Sequence, residues 1–169
     1  MSTTDKPTDD DLRWMRRALE MAAKGERTKD ANGIGCVIVR DGTLLAEGHN
    51  EVGIRHDPTA HAEIVVIRRA CEALGENDLR GAALYSTLQP CGMCSMASIW
   101  AKVGRVVYGA GRDDVHKMYF EDRNLDTMDF IRDAYRDDLT LVGGVLRAEC
   151  AKFYERPDEE LAPEQQANL

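Results

Sequence analysis

Apolar positions along the chain change period repeatedly, and each change marks an element. Leu12, Met15, Leu19 and Ala22 fall at i, i+3, i+7 and i+10, the spacing of one face of an α-helix. Ile34–Val39 is then a short apolar run, Asp41-Gly42 a hairpin-turn pair, and Leu44–His49 a second strand. Asp57-Pro58 reads as an N-cap followed by proline at the first helical position. Ile64, Ile67, Cys71 and Leu74 mark the buried stripe of that helix, and Gly75 ends it. Ala82–Ser86 is a third strand, Cys91–Val103 a helix closed by Gly104, and Arg105–Tyr108 a fourth strand. Phe130, Ile131, Ala134 and Tyr135 line a further helix, and Leu139–Val142 is a short fifth strand. Val145, Leu146, Cys150, Phe153 and Tyr154 mark the last helix, which Pro157 stops.

One hairpin followed by alternating helices and strands predicts an α/β fold. Its form is a three-layer α-β-α sandwich around a mixed five-stranded sheet covered on both faces. Residues 1–10 read as a flexible polar N-terminus, 11–156 as one domain, and 157–169 as an acidic tail or flap.

Composition narrows the class. The chain has 169 residues, 43% hydrophobic and 31% charged, which suits a single soluble globular domain with a real core. No run approaches the roughly 18 apolar residues of a membrane span, and no basic-then-apolar leader opens the chain, so a cytoplasmic protein is expected. The net charge of −8 argues against a broad nucleic-acid surface, because such binding rests on neutralising phosphates. Five cysteines are an odd number for a disulfide framework. A reduced compartment and a metal site fit them better, with Cys36, Cys71 and Cys150 as buried small hydrophobes.

The candidate chemistry sits in two short stretches. His61-Ala62-Glu63 and Pro90-Cys91-Gly92-Met93-Cys94 offer one imidazole, two thiolates and one carboxylate. Cys91 and Cys94 lie three apart at a helix start, so both sulfurs project from one face. The partial positive charge of the helix N-terminus favours their thiolate form. Three protein ligands, His61, Cys91 and Cys94, leave one corner of a zinc tetrahedron open, as a catalytic site does. Zinc held that way lowers the pKa of water towards ~7 and supplies hydroxide at neutral pH. The Glu63 carboxylate is then placed to take a proton, pass it to a ring nitrogen and protonate a departing ammonia. The competing reading is a structural zinc knuckle, which needs a fourth ligand. His49, His56 and His116 are available for it, but none completes a familiar finger spacing.

With those residues in place, the chain resembles the zinc deaminases of the cytidine-deaminase-like superfamily, over about Leu12 to Tyr154. It is most similar to the branch that holds guanine deaminases, tRNA adenosine deaminases and fungal-type cytosine deaminases. The resemblance rests on Gly48-His49-Asn50, Asp57-Pro58-Thr59-Ala60-His61-Ala62-Glu63 and Leu88-Gln89-Pro90-Cys91-Gly92-Met93-Cys94. It implies a cytidine-deaminase-like fold, Zn2+ as cofactor, Glu63 as the proton shuttle, and a homodimer. It also implies that the Asn50 side chain and the Ala62 backbone amide bind the base. Tyr119-Phe120-Glu121-Asp122 is similar to a stretch of the guanine deaminases, which would set Asp122 against N1–H and the 2-amino group of guanine. Tyr119 departs from their glycine, and the tail after Pro157 departs from their aromatic end. The expected activity is hydrolytic deamination of a free nucleobase or related amino-heterocycle, guanine first. Cytosine deaminase and tRNA adenosine deaminase are the alternatives, and a non-catalytic zinc scaffold is the reading from a different class. Arg16-Arg17 and Arg68-Arg69 are the two adjacent arginine pairs an RNA platform would draw on.

Overall fold

A computed structural model describes residues 7–115 and 139–154. The helix expected around Phe130–Tyr135, the Tyr119–Asp122 stretch and the tail from Pro157 lie outside the described residues. Helix α1 spans Asp9–Glu26, strand β1 Asn32–Arg40 and strand β2 Thr43–Asn50. A one-turn helix α2 (Val52–Arg55) and helix α3 (Ala62–Leu74) follow. Strand β3 covers Ala82–Leu88, helix α4 Gly92–Trp100, strand β4 Arg105–Ala110, strand β5 Thr140–Val142 and helix α5 Arg147–Ala151.

The sheet order is β2-β1-β3-β4-β5. β1 runs antiparallel to both β2 and β3, whereas β3, β4 and β5 are parallel. The hairpin turn is the one expected, with Asp41 at φ 52° and Gly42 at φ 72°. Two consecutive positive φ values match the right-handed twist of the flanking strands. Alternate residues feed opposite cores. Val37, Val39, Tyr85 and Val107 pack with α1 and α5, while Cys36, Ile38, Leu84 and Val106 pack with α3. Both faces are therefore apolar, as a sheet covered on both sides requires.

The helices differ from expectation in ways that shape the site. α1 begins at Asp9, capped by Thr8, whose hydroxyl accepts from Asp11 N–H (3.1 Å) while Asp11 accepts from Thr8 N–H (2.9 Å). Its buried face is Trp14, Met15, Ala18 and Met21, with Leu12 and Leu19 on the flank. The rotation follows from a close approach: a Cβ on Gly35 of β1 would overlap Ala18 O and Ala22 N of α1. A bare glycine facing alanine brings that stripe onto the sheet. On α3 the innermost positions are Ala62, Val66 and Ala70, again small, with Ile67, Cys71 and Leu74 partly buried beside them. Gly75 closes α3 at φ 67°, as expected. α4 is closed by Lys102 in the left-handed region (φ 59°), not by Gly104. Gly104 instead starts the path into β4, with its N–H donating to Ala82 O.

Candidate metal centre

β2 and β3 run in the same direction, so their carboxyl ends reach one edge of the sheet, with the start of β1 between them. Both metal-bearing segments leave from that edge. After β2 the chain makes a short excursion through α2 and returns, closed at its base by Glu51 N–H donating to Ala60 O (2.9 Å). Asp57-Pro58 belongs to the turn on this excursion and does not open a helix. Asp57 Oδ1 accepts from Thr59 N–H (2.8 Å) and the Thr59 hydroxyl (2.7 Å), and these bonds hold the Asp57 carboxyl down at about 2. Helix α3 therefore starts four residues later than expected, and His61 is its N-cap, in extended conformation (ψ 156°).

Cys91 occupies the same position on α4, an extended N-cap with ψ 175°. Neither His61 nor Cys91 spends its side chain capping its own helix. The imidazole and the thiols meet instead. His61 Nδ1 lies 3.6 Å from Cys91 Sγ and 3.6 Å from Cys94 Sγ. A zinc ion with Zn–N of about 2.0–2.1 Å and Zn–S of about 2.3 Å sets N and S about 3.6 Å apart at the tetrahedral angle. The donor set thus has both the chemistry and the spacing of a zinc centre. Among the described residues, no fourth ligand joins the cluster. His49 Nδ1 is 2.9 Å from Asn50 O.

The five thiols sit in different electrostatic surroundings. Cys91 is drawn down to about 6 by the hydrogen bond from Cys94 and by His61. Cys94, as donor to Cys91, buried and near Glu63, is pushed up until a metal takes its proton's place. Burial raises Cys36, Cys71 and Cys150. All five are free, and Cys36 and Cys150 are fully buried in the two cores.

Glu63 sits in the first turn of α3 and is 3% exposed. Its Oε2 lies 3.5 Å from Cys94 Sγ, and its Oε1 accepts from the Ser86 hydroxyl at 3.1 Å. Ser86 is fully buried on β3 and was not among the residues expected at the site. The signal for it was a lone hydroxyl on the α3-facing side of a strand whose neighbours there are hydrocarbon. Asn50 closes β2, 3% exposed, with Oδ1 accepting from Val52 N–H (3.1 Å). Ala62 is buried as the first residue of α3, where backbone N–H groups lack intrahelical partners. Asp122 lies outside the described residues. A cavity of about 350 Å³ opens at the carboxyl ends of β4 and β5, lined among others by Gln89, Tyr108, Arg112, Asp114 and Arg147. It touches the metal loop only through Gln89 and does not include the cluster.

Residues 8–110 match the model of the cytidine and deoxycytidylate deaminase zinc-binding region. The chain belongs to that family. Within it, the chain is 40% identical over 109 residues to guanine deaminase of Bacillus subtilis, covering 64% of this chain and 70% of that protein. It is 50% identical over 98 residues to the tRNA-specific adenosine deaminase of Agrobacterium fabrum, covering 57% of this chain and 63% of that protein. A solved structure from work on A-to-I editing by tRNA:A34 deaminases superposes with a TM-score of 0.71 at 35% identity, covering 83% of this chain and 98% of the other. The family is zinc-binding, and His61, Cys91 and Cys94 are the residues this member presents to the ion. No helix among the described residues is long and apolar enough to cross a membrane.

Proposed function

We propose that this family member is a zinc-dependent aminohydrolase of free nucleobases, with guanine as its substrate. The observation that carries the hydrolytic reading is the buried Glu63 carboxylate, 3.5 Å from a sulfur of a three-ligand zinc cluster. Glu63 takes one proton from the attacking water and passes it to a ring nitrogen, then takes the second from the hydroxyl left on that carbon and delivers it to the amine, so that ammonia departs as the carbonyl forms. Asn50 commits its Oδ1 to the backbone, which leaves its amide N–H₂ to donate to the base. The Ala62 N–H, at the positive end of α3, is the second donor. Asp122 accepts from N1–H and the 2-amino group and supplies the preference for guanine.

A free base is favoured over RNA by three of the four arginines in the two adjacent pairs. Arg17 pairs with Glu20 and Glu47, Arg68 with Asp57, and Arg69 with Glu51. Cations neutralised by carboxylates make a poor phosphate platform, and the chain as a whole carries −8. The second reading, deamination of adenosine in tRNA, draws on the 50% identity to the Agrobacterium fabrum protein. The protein works in a reducing cytoplasm as a homodimer, joined through α4, where Met96 is 40% and Trp100 72% exposed.

The test is ammonia release from guanine, cytosine, adenine, their nucleosides, aminotriazines and a tRNA anticodon stem-loop, with Glu63→Ala as control. Release from guanine that disappears in both Glu63→Ala and Asp122→Ala is the expected result. Release from cytosine alone overturns the substrate, and release from the stem-loop alone establishes the second reading. Full function in a zinc-loaded Glu63→Ala variant returns the protein to a scaffold.

A further inference from the structure

We infer that Ser86 is a positioning residue for Glu63, a role that rests on the hydrolytic reading above. The register of β3 sets its direction: Ser86 pairs with Cys36 on one side and Tyr108 on the other. Its side chain enters the α3-facing layer among Cys36, Leu84 and Val106, where a hydroxyl must find an acceptor. The acceptor is Glu63 Oε1, at 3.1 Å. Ser86 and Glu63 are 0% and 3% exposed, so the bond between them is shielded from bulk solvent.

This bond decides what the other oxygen does. A glutamate has three rotatable side-chain bonds, and its carboxylate turns easily about the last. With Oε1 held by β3, the carboxylate plane is fixed and Oε2 is presented to the Cys94 side of the cluster, 3.5 Å from Sγ. A general base must sit within hydrogen-bond reach of the proton it takes, so orientation translates directly into rate. The bond has a second consequence. Carboxylate oxygens are themselves zinc ligands, and an untethered Glu63 is free to swing onto the open corner. The side-chain hydrogen bond of Ser86 runs to Glu63, so its effect on the reaction passes through that carboxylate.

Two measurements on zinc-loaded protein test this. The first is steady-state kinetics, on whichever substrate the screen identifies, for wild type, Ser86→Ala and Ser86→Thr, with zinc content determined for each. The expected result for Ser86→Ala is a kcat about 10- to 100-fold lower, the range of one hydrogen bond to a charged group. KM stays within about twofold and zinc stoichiometry is unchanged, while Ser86→Thr, which keeps the hydroxyl, recovers most of the rate. A Ser86→Ala rate within twofold of wild type overturns the inference. So does lost zinc, a changed KM at constant kcat, or a Ser86→Thr variant as slow as Ser86→Ala. The second is a urea-unfolding cycle of Ser86→Ala and Glu63→Ala, singly and together. The expected coupling is about tenfold or more in the unfolding constant, and additive effects overturn the inference whether or not a substrate is found. Failure of wild type to release ammonia from any compound overturns the proposed function instead, and the cycle separates the two outcomes.

Discussion

The Asp11 carboxylate offers a sharp test of how the fold carries load away from its metal edge. Asp11 is 1% exposed at the start of α1 and accepts from three groups: Arg105 (2.8 Å), the Tyr85 hydroxyl (3.2 Å) and Thr8 N–H (2.9 Å). These ties fasten α1 to the middle of β3 and the start of β4. Asp11→Ala removes the reciprocal half of the capping box, the bond from Thr8 N–H, worth about 0.5–1.5 kcal/mol, and one charge-assisted bond from Arg105, worth about 1.5–3 kcal/mol. It also leaves the buried Tyr85 hydroxyl without its acceptor. Breaking a fully buried pair costs about 3–5 kcal/mol, but the Arg105 side chain is 26% exposed, so solvent recovers part of that. The expected loss is about 2–4 kcal/mol, or roughly 5–15 °C in Tm for a chain of this size.

The pH dependence has a definite sign. Burial raises the Asp11 carboxyl, but the bonds from Thr8 and Arg105 outweigh it and hold it below its ordinary value of 3.8. The folded state therefore binds this proton more weakly than the unfolded chain. The advantage of wild type over Asp11→Ala is complete above about pH 4 and shrinks as the pH falls through the depressed pKa. Urea unfolding of both zinc-loaded proteins at pH 7, repeated at decreasing pH, measures it. A difference below about 0.5 kcal/mol at pH 7 refutes the reasoning. So does a kcat loss in the folded variant, since none of the Asp11 partners is a metal-centre residue.

Three further outcomes follow from the metal cluster and from the packing of α1 on β1. Cys91→Ser loses an N-cap zinc ligand and should copurify with under about a tenth of an equivalent of zinc by atomic absorption. Chelating wild type should lower its stability by about 4 kcal/mol if free zinc stands about a thousandfold above Kd. Gly35→Ala places a methyl on the backbone of α1 at Ala18 and Ala22, with no flexible side chain to yield. Its cost should reach about 3 kcal/mol or more in urea unfolding, and a loss under about 1 kcal/mol would show that α1 can shift outward at little cost.

The metal-ligand cluster and the order of the five strands were legible because each is written locally. His61, Cys91 and Cys94 carry their chemistry in fixed short spacings, and Asp41-Gly42 and Gly75 mark a turn and a helix end by backbone requirement alone. What depended on three-dimensional contact was not legible. The buried face of α1 is set by Gly35 on another element, so large Leu12 and Leu19 lose the inner positions to Ala18. Asp57-Pro58 has the local signature of a helix start. Thr59 captures the aspartate side chain first and makes a turn. Ser86 gave no spacing signal, because its partner lies 23 residues away across the α3–β3 boundary.

The contrast between Cys36 and Cys91 shows why backbone position, not mere nearness to the acid, selects the ligands. Both thiols feel the Glu63 carboxylate, which raises each. Cys36 sits mid-strand and fully buried, where burial and the Glu63 charge push its thiol well up and the long contact to Val37 O (3.9 Å) offsets little of that. Cys91 sits at a helix N-cap, where backbone N–H groups present positive charge, and has His61 and Cys94 as hydrogen-bond partners. Those partners draw its thiol down, the direction a metal ligand needs. His61 at the N-cap of α3 completes the arrangement, because two helix starts brought to one sheet edge concentrate the donors there. The buried carboxylate then sits beside a cation once zinc binds, which offsets the burial cost that the apo cluster bears.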